Sequence, residues 1–570
     1  MIYPMNKRFD ELLGKLSLKE KLAQMMVFGV SGVMPDPWLL AFTKKYGLGG
    51  LRISPNGSRK FSRYLPPGAK GSENVNRPPQ LHEKFVDTKV HPPFFSAKAY
   101  AQWLNDFRTL AFEHGGLGIP LHMVTDCEAY GGNFAPPYLM SMPNAMGFGD
   151  AGAVDLLERG WCAMARQLKA IGIDWIHSPV VDVNVNPNNP EISTRSFGAD
   201  PDLVTRCAAA NLRGLKAGNV IGTLKHYPGR GDSAQDAHFG LPVINASRDD
   251  LMNIHVKPYR ELIGQGLAEA VMLAHTVFPN LDPEAEVATV SEYLIKELLR
   301  GELGFDGVIT TDSFTMGGLM ARYSVTEAAV RTINFGADLI LLKDENALRG
   351  ELLENLEQAV KDGRIRESRI DESILRVWKL KAAHGLFENG GVVDVSRTEA
   401  VIEDPAFQTL SMEMSRTVRR TLRLQEGILP LTPDRSLLVI DRVTEIQINR
   451  NDHWNRPSMF YDFLRQYTDD LTYIDYNGKN TGRALGLAEQ FKDAVDVILI
   501  TTDYDRGDVE NASYQLVRDL QKLGKPVIQL SSNPYREQMI PDESKNVVLT
   551  YGLMREQLQS AAAWLFGKEI

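Results

Sequence analysis

Eight times between residues 25 and 343 a short apolar run is followed by a stretch with helical periodicity. The runs are MMVFGV (25–30), GGLRIS (49–54), LHMVTD (121–126), WIHSPVVDV (175–183), VIGTLKH (220–226), AVMLAHT (270–276), GVITTD (307–312) and DLILLK (338–343). Most are apolar on both faces, as strands covered on both sides must be. Between them, segments such as AKAYAQWLNDFRTLAFEHG place Trp103, Phe107 and Leu110 at helical spacing behind a Ser96 cap. The class is α/β, and eight such units predict a (β/α)8 TIM-type barrel over residues 1–390. A doubly wound open sheet is the alternative. No glycine-rich dinucleotide fingerprint follows the first strand, which weakens it.

One connection is unusual. Residues 55–97 are rich in Pro, Gly and charge and lack periodicity. So long a stretch is either a floppy insertion or a lid over the barrel mouth, and the sequence favours neither. Residues 391–424 read as a helical linker. A second series follows: SLLVID (436–441), LTYIDY (471–476), DVILITT (496–502), KPVIQLS (525–531) and NVVLTYG (546–552). It predicts a smaller open α/β sandwich domain over 425–570. The length of 570 residues agrees, being too great for one ordinary core.

Composition narrows the function. With 43% apolar and 24% charged residues, the chain reads as soluble and globular. A net charge of -9 argues against nucleic acid and anionic membrane as partners. No run reaches ~18 uninterrupted apolar residues, so no membrane span is expected. The N-terminal segment reads as a helix capped at Ser17 rather than a signal peptide. Cys127, Cys162 and Cys207 form no CxxC pair and read as free thiols of a reducing compartment. The expected location is cytoplasmic.

In such a barrel, working residues gather at the carboxyl ends of the strands. Those ends carry Asp126, Asp182 followed by a loop with Arg195, Lys225-His226, His275, Asp312 and Lys343-Asp344. Asp312 also suits a helix N-cap, and the two roles are compatible. The fifth end opens LKHYPGRGDSAQDAHFG. There Asp236 and His238, two apart, can form a dyad in which the carboxylate orients the imidazole. His226, Asp232, Asp236 and His238 could instead be metal ligands. Their spacing matches no standard zinc pattern, and Lys225 and Arg230 would repel a cation. The RGD tripeptide at 230–232 is read as coincidence.

KHYPGRGDSAQDAH, NPNNPEISTRSFG, VMLAHTVFPNLD and GFDGVITTDSFTMGG together resemble family 3 glycoside hydrolases. Within that family they are similar to the bacterial β-N-acetylglucosaminidases, whose loop follows K-H-[FY]-P-G-x-G-x(4)-D-[ST]-H. The resemblance covers roughly residues 8–390. It implies that Asp312 is the nucleophile, and that His238, held by Asp236, is the general acid/base. Asp126, Arg195, Lys225 and His226 would bind the hydroxyls of the sugar in the −1 subsite. No cofactor and no metal is implied, and the partner is a carbohydrate substrate. The activity implied is retaining, exo-acting hydrolysis of terminal β-linked GlcNAc through a covalent glycosyl-enzyme. Three positions depart from the pattern. DCEAYGGN replaces a D-x-E-G-G-R motif with two extra residues and Asn133 in place of Arg. Arg230 replaces a residue often neutral or His. Ala237 replaces a small hydroxyl residue.

Other functions compete. A phosphorylase would let phosphate replace water, since a neutral His repels it less than a carboxylate would. A retaining β-glycosidase for another sugar, β-glucoside-like, is a second alternative. A non-catalytic sugar-binding barrel is a third.

Overall fold

The structure is a computed structural model. It describes residues 2–31, 35–54, 96–128, 139–344, 347–442, 459–478, 480–504 and 512–568. Nearly all of the expected insertion 55–97, and the part of DCEAYGGN beyond Glu128, lie outside the described residues.

Eight parallel strands form the first domain: β1 (Met26–Ser31), β2 (Gly50–Ser54), β3 (His122–Thr125), β4 (Trp175–Ile176), β5 (Thr223–Tyr227), β6 (Ala270–Leu273), β7 (Val308–Thr311) and β8 (Ile340–Leu342). They pair in the order β4-β3-β2-β1-β8 and β5-β6-β7. Parallel bridges Trp175–Ile221 and Thr310–Leu339 join the two groups into a closed ring. Each strand falls within, or one residue beyond, its expected run. β4 is the shortest: it pairs regularly over two residues, and Val180 alone makes a later bridge, to Lys225. Val27, Val124, Trp175, Ile221, Ala270, Val308 and Leu341 fill one apolar cluster. Packing of this kind makes the barrel a filled core rather than a pore.

The helices start where the side chains dictate. Ser96 Oγ accepts from the Ala99 N–H at the head of the helix Ala97–Phe112. Ser17 and Glu20 make a reciprocal capping box ahead of Leu18–Gln24. At the amino-terminal ends of the strands, two fully buried carboxylates are saturated by cations. Asp174 is paired with Arg108 at 2.5 Å and Lys169 at 3.0 Å, and Asp338 with Arg300, Arg369 and Arg376. Charge is neutralised there, which suits a face that only holds the barrel together.

The second domain is one six-stranded sheet in which β9 (Arg420–Arg423) is an antiparallel edge. Its other strands are β10 (Leu437–Arg442), β11 (Leu471–Tyr476), β12 (Val497–Thr502), β13 (Val527–Ser531) and β14 (Asn546–Leu549). The parallel order β11-β10-β12-β13-β14 puts helices on both faces, each with its own apolar core. The segment 391–424 is helical for most of its length, as expected of a linker, and ends in β9. That strand was not legible because RTLR is polar and edge-exposed, and only its pairing with β14 makes it a strand.

The two domains meet over the barrel mouth. Residues just beyond β12 and β13 contact the loop that follows β4. Tyr504 Oη donates to the Pro190 carbonyl at 3.0 Å, and Asn184 Nδ2 to Tyr535 Oη at 2.7 Å. Ser193 Oγ donates to Gln538 Oε1 at 3.1 Å and accepts from Asn533 Nδ2 at 3.0 Å. Ser193 has a φ of 43°, an uncommon backbone for a residue with a Cβ. Two side chains of the second domain hold it there.

Candidate active site

The carboxyl ends of β2 to β7 converge on one polar mouth. Asp126, just past β3, is gripped by Arg52 of β2, whose Nη2 lies 2.5 Å and Nε 2.9 Å from Oδ2. His177 Nδ1 lies 3.1 Å from Oδ1, and Lys225 Nζ 3.5 Å. Glu128 faces Arg195 in a bidentate pair at 2.6 and 2.8 Å and also contacts Lys225 Nζ. Burial works hardest on both carboxyls and pushes them up. The surrounding cations outweigh it, Arg52 and Lys225 for Asp126, Arg195 and Lys225 for Glu128, and hold both well below the usual carboxylate range. The result is a rigid, charged wall of two anions and three cations, suited to gripping sugar hydroxyls.

Of the sugar-binding residues expected, Asp126, Arg195 and Lys225 stand in this wall. His226 is turned to its neighbour: its Nδ1 lies 2.7 Å from Asp182 Oδ2, and both side chains are buried. Burial pushes Asp182 up to about 6, although Arg230 and the backbone N–H groups of Arg230 and His226 oppose it. The alternative metal set of His226, Asp232, Asp236 and His238 does not come together among the described residues, where His226 faces Asp182. Among the described residues, Glu191, Asp236 and His238 do offer ligand atoms within 4.8 Å of one another. The guanidinium of Arg230 already sits 2.7 Å from Glu191, so a cation is in place there.

The segment expected to carry the acid/base follows β5. Asp236 Oδ1 accepts from the His238 backbone N–H and lies 2.8 Å from His238 Nδ1. The carboxylate makes Nδ1 the protonated nitrogen and leaves Nε2 for proton transfer. The segment is tied down on several sides. Asn189 Nδ2 donates to the Arg230 carbonyl, Asn186 Nδ2 to Ser233, and the Gly318 N–H to Ala237. Gly231 passes so close to the Val183 carbonyl that no Cβ fits. In the structure the dyad is formed and the segment that carries it is docked.

Asp312 lies one residue past β7. Its Oδ1 accepts from the Ser313 N–H at 2.8 Å, and its Oδ2 is 3.6 Å from Arg230. Burial favours the neutral acid, but Arg230, His275, His238 and the Ser313 N–H together hold the carboxyl below its ordinary value. An ionised carboxylate is what a nucleophile requires. Asp126, Arg195, His238 and Asp312 keep 15–19% of their side-chain surface open, which marks them as the accessible lining. His275, also at a strand end, is fully buried instead. Burial pushes it down to about 4, and its Nε2 donates to the Ser313 carbonyl at 2.9 Å. It props the residue next to Asp312. Lys343 contributes its backbone N–H to Ser313 Oγ.

The sequence reading missed Arg52, Glu128, His177 and Glu191. Two signals existed. Arg52 is a charge inside an apolar strand, and Glu191 follows a turn-rich NPNNP before Arg195. Neither has meaning until the partners, 74 residues away for Arg52, are placed.

The sequence profile of the glycosyl hydrolase family 3 N-terminal domain matches residues 94–380, half of the chain and most of the barrel. The chain belongs to glycosyl hydrolase family 3. Among relatives in the family, beta-hexosaminidase A of Pseudoalteromonas piscicida is 30% identical over 285 residues, 47% of this chain and 47% of that protein. A beta-N-acetylglucosaminidase/beta-glucosidase of Cellulomonas fimi is 28% identical over 353 residues, 60% of this chain and 61% of its own length. The chain thus spans about half to three-fifths of these curated relatives. A solved family 3 beta-N-acetylglucosaminidase from a Paenibacillus species superposes with a TM-score of 0.82 at 26% identity, covering 97% of both chains. The two-domain arrangement is therefore a family 3 fold over its whole length.

Proposed function

We propose that the chain is a retaining, exo-acting β-N-acetylglucosaminidase that removes terminal β-linked GlcNAc. The observation that carries the reading is the Asp236–His238 dyad, formed and partly open, in the same mouth as the ionised Asp312. Asp312 attacks the anomeric carbon while His238 gives the proton on Nε2 to the departing oxygen. Asp236 stabilises the imidazolium that exists before that transfer. The glycosyl-enzyme is then opened by water that the now neutral His238 deprotonates, and the β configuration is restored. Asp126, Arg195 and Lys225 hold the sugar while its ring flattens toward the oxocarbenium-like transition state. The sugar is chosen on the names of the relatives, beta-hexosaminidase and beta-N-acetylglucosaminidase. A β-glucoside is the second reading, supported by the double name of the Cellulomonas fimi relative.

Aryl β-glycosides of GlcNAc, glucose, xylose and GalNAc test the reading, assayed with and without phosphate. Turnover highest on the GlcNAc substrate, with the β anomer released first, supports it. A preference for glucosides selects the second reading. Phosphate dependence with sugar 1-phosphate as product makes the enzyme a phosphorylase. Full activity in Asp312→Ala removes the nucleophile assignment.

A further inference from the structure

Arg230 is the residue for which the sequence offered no role. It is almost wholly buried, and Nη2 donates to Glu191 Oε1 at 2.7 Å. The same Nη2 lies 3.6 Å from Asp312 Oδ2. The backbone N–H of Arg230 donates to Asp182 at 2.7 Å. Nε and Nη1 have no hydrogen-bond partner among the described residues. A buried guanidinium with unused donors is unfavourable for folding, and an apolar residue of similar volume would cost less. Stability therefore does not account for it, whereas its neighbours do.

Glu191 completes the arrangement. Its Oε1 is 3.4 Å from His238 Nδ1, and its Oε2 accepts from the Ala237 N–H at 3.2 Å, between Asp236 and His238. One ion pair thus reaches the carboxylate at the end of β7 on one side and the imidazole segment on the other.

We propose that Glu191 and Arg230 are a positioning pair that sets both reacting groups at once. Arg230 keeps Asp312 ionised and in place, and Glu191, its charge balanced by Arg230, anchors the segment that presents His238. The inference rests on reading Asp312 as nucleophile and His238 as acid/base. The charged or titratable groups acting on Asp312 are Arg230, His275 and His238. Buried His275 is neutral through the working range, and His238 loses its charge whenever it gives up its proton. Arg230 is the one permanent cation of the three. Glu191 has the mirrored function: a buried carboxylate beside Asp236 would repel it, and Arg230 at 2.7 Å, helped by Arg195 at 3.8 Å, offsets that.

The test compares pH profiles of kcat/KM for Arg230→Met, Arg230→Lys and Glu191→Gln on aryl GlcNAc substrates with good and poor leaving groups. Without the guanidinium, Asp312 binds its proton more tightly, so the acid limb of Arg230→Met moves up by about one to three pH units. Arg230→Lys keeps the charge and keeps the wild-type limb. Glu191→Gln loses about tenfold or more on the poor leaving group relative to the good one, because the acid is misplaced. A purely structural pair would lower every rate alike without moving the limb or the leaving-group ratio, and that result overturns the proposal. Should Arg230→Met fail to fold, the leaving-group ratio of Glu191→Gln decides alone. Asp312→Asn and His238→Ala are measured alongside. If either keeps wild-type rates, the reading of the site has failed. If both lose activity and the pair shows neither signature, only the positioning role has failed.

Discussion

Replacing Asp236 by Asn changes one atom type at the orienting position of the dyad. Asp236 Oδ1 lies 2.8 Å from both the backbone N and Nδ1 of His238. A hydrogen bond to a charged group contributes ~1.5–3 kcal/mol and one between neutral groups ~0.5–1.5 kcal/mol. The exchange therefore removes about 1–2 kcal/mol from the protonated imidazole, or roughly 5- to 30-fold in rate. That is the floor. An amide can also turn its NH2 toward Nδ1, which moves the proton to the wrong nitrogen. The loss then approaches the whole contribution of a general acid, about 10²–10⁴. The assay is kcat/KM on phenyl and dinitrophenyl β-N-acetylglucosaminides, with circular dichroism to confirm folding. Phenolate departure needs the proton and takes the full loss; dinitrophenolate departs without it and loses little. In the proposed mechanism its kcat falls nonetheless, because the same imidazole activates water in the second step. Equal losses on both substrates, or none, would refute the account of Asp236.

Other expectations follow from the same geometry. Lys225→Met strips a buried cation from Asp126 and Glu128 and should destabilise the barrel by about 3 kcal/mol in urea unfolding. Asp126, Glu128 and Asp174 are all held below the ordinary carboxylate range. Their contribution is complete above ~4, the unfolded value, and is lost as pH falls through the folded values, so thermal midpoints should drop steeply in acid. Asp441 runs the other way. Burial raises it to about 7 against the bonds from Thr501 and Tyr473, so its contribution is complete below ~4 and lost as pH rises through about 7. Asp441→Asn should flatten the fall in thermal midpoint of the second domain between pH 5 and 8. Gln538→Ala removes the bond from Ser193 and should raise KM about three- to tenfold through Arg195, with no change in leaving-group dependence.

Much of the architecture is legible in the chain itself, because periodicity is a local property. Apolar runs of six to nine residues mark buried strands wherever they fall, and Ser96 and Ser17 cap the helices that follow them. Reading strand ends was enough to bring Asp126, Lys225 and Asp312 to one mouth, and the spacing of Asp236 and His238 to pair them on the loop after β5. Side-chain direction was not legible. His226 turns its Nδ1 to Asp182, and His275 sits at a strand end yet is buried on Thr289 and Ser313. A strand end says that a residue is near the mouth, but the pleat and the loops beside it decide which way the side chain turns.

What the sequence by itself determined is the inventory: eight strands in a ring, a second sheet, and a set of ionisable groups at one end of the first. What only the tertiary structure decided is the pairing. Arg52 reaches Asp126, Arg195 reaches Glu128, and Arg230 joins Glu191 to Asp312, all across loops of tens of residues. Charges act through space and not along the chain. Closing the barrel brings these groups within 4 Å, and only then do Asp126, Glu128 and Asp312 acquire the cations that hold them below the ordinary carboxylate range.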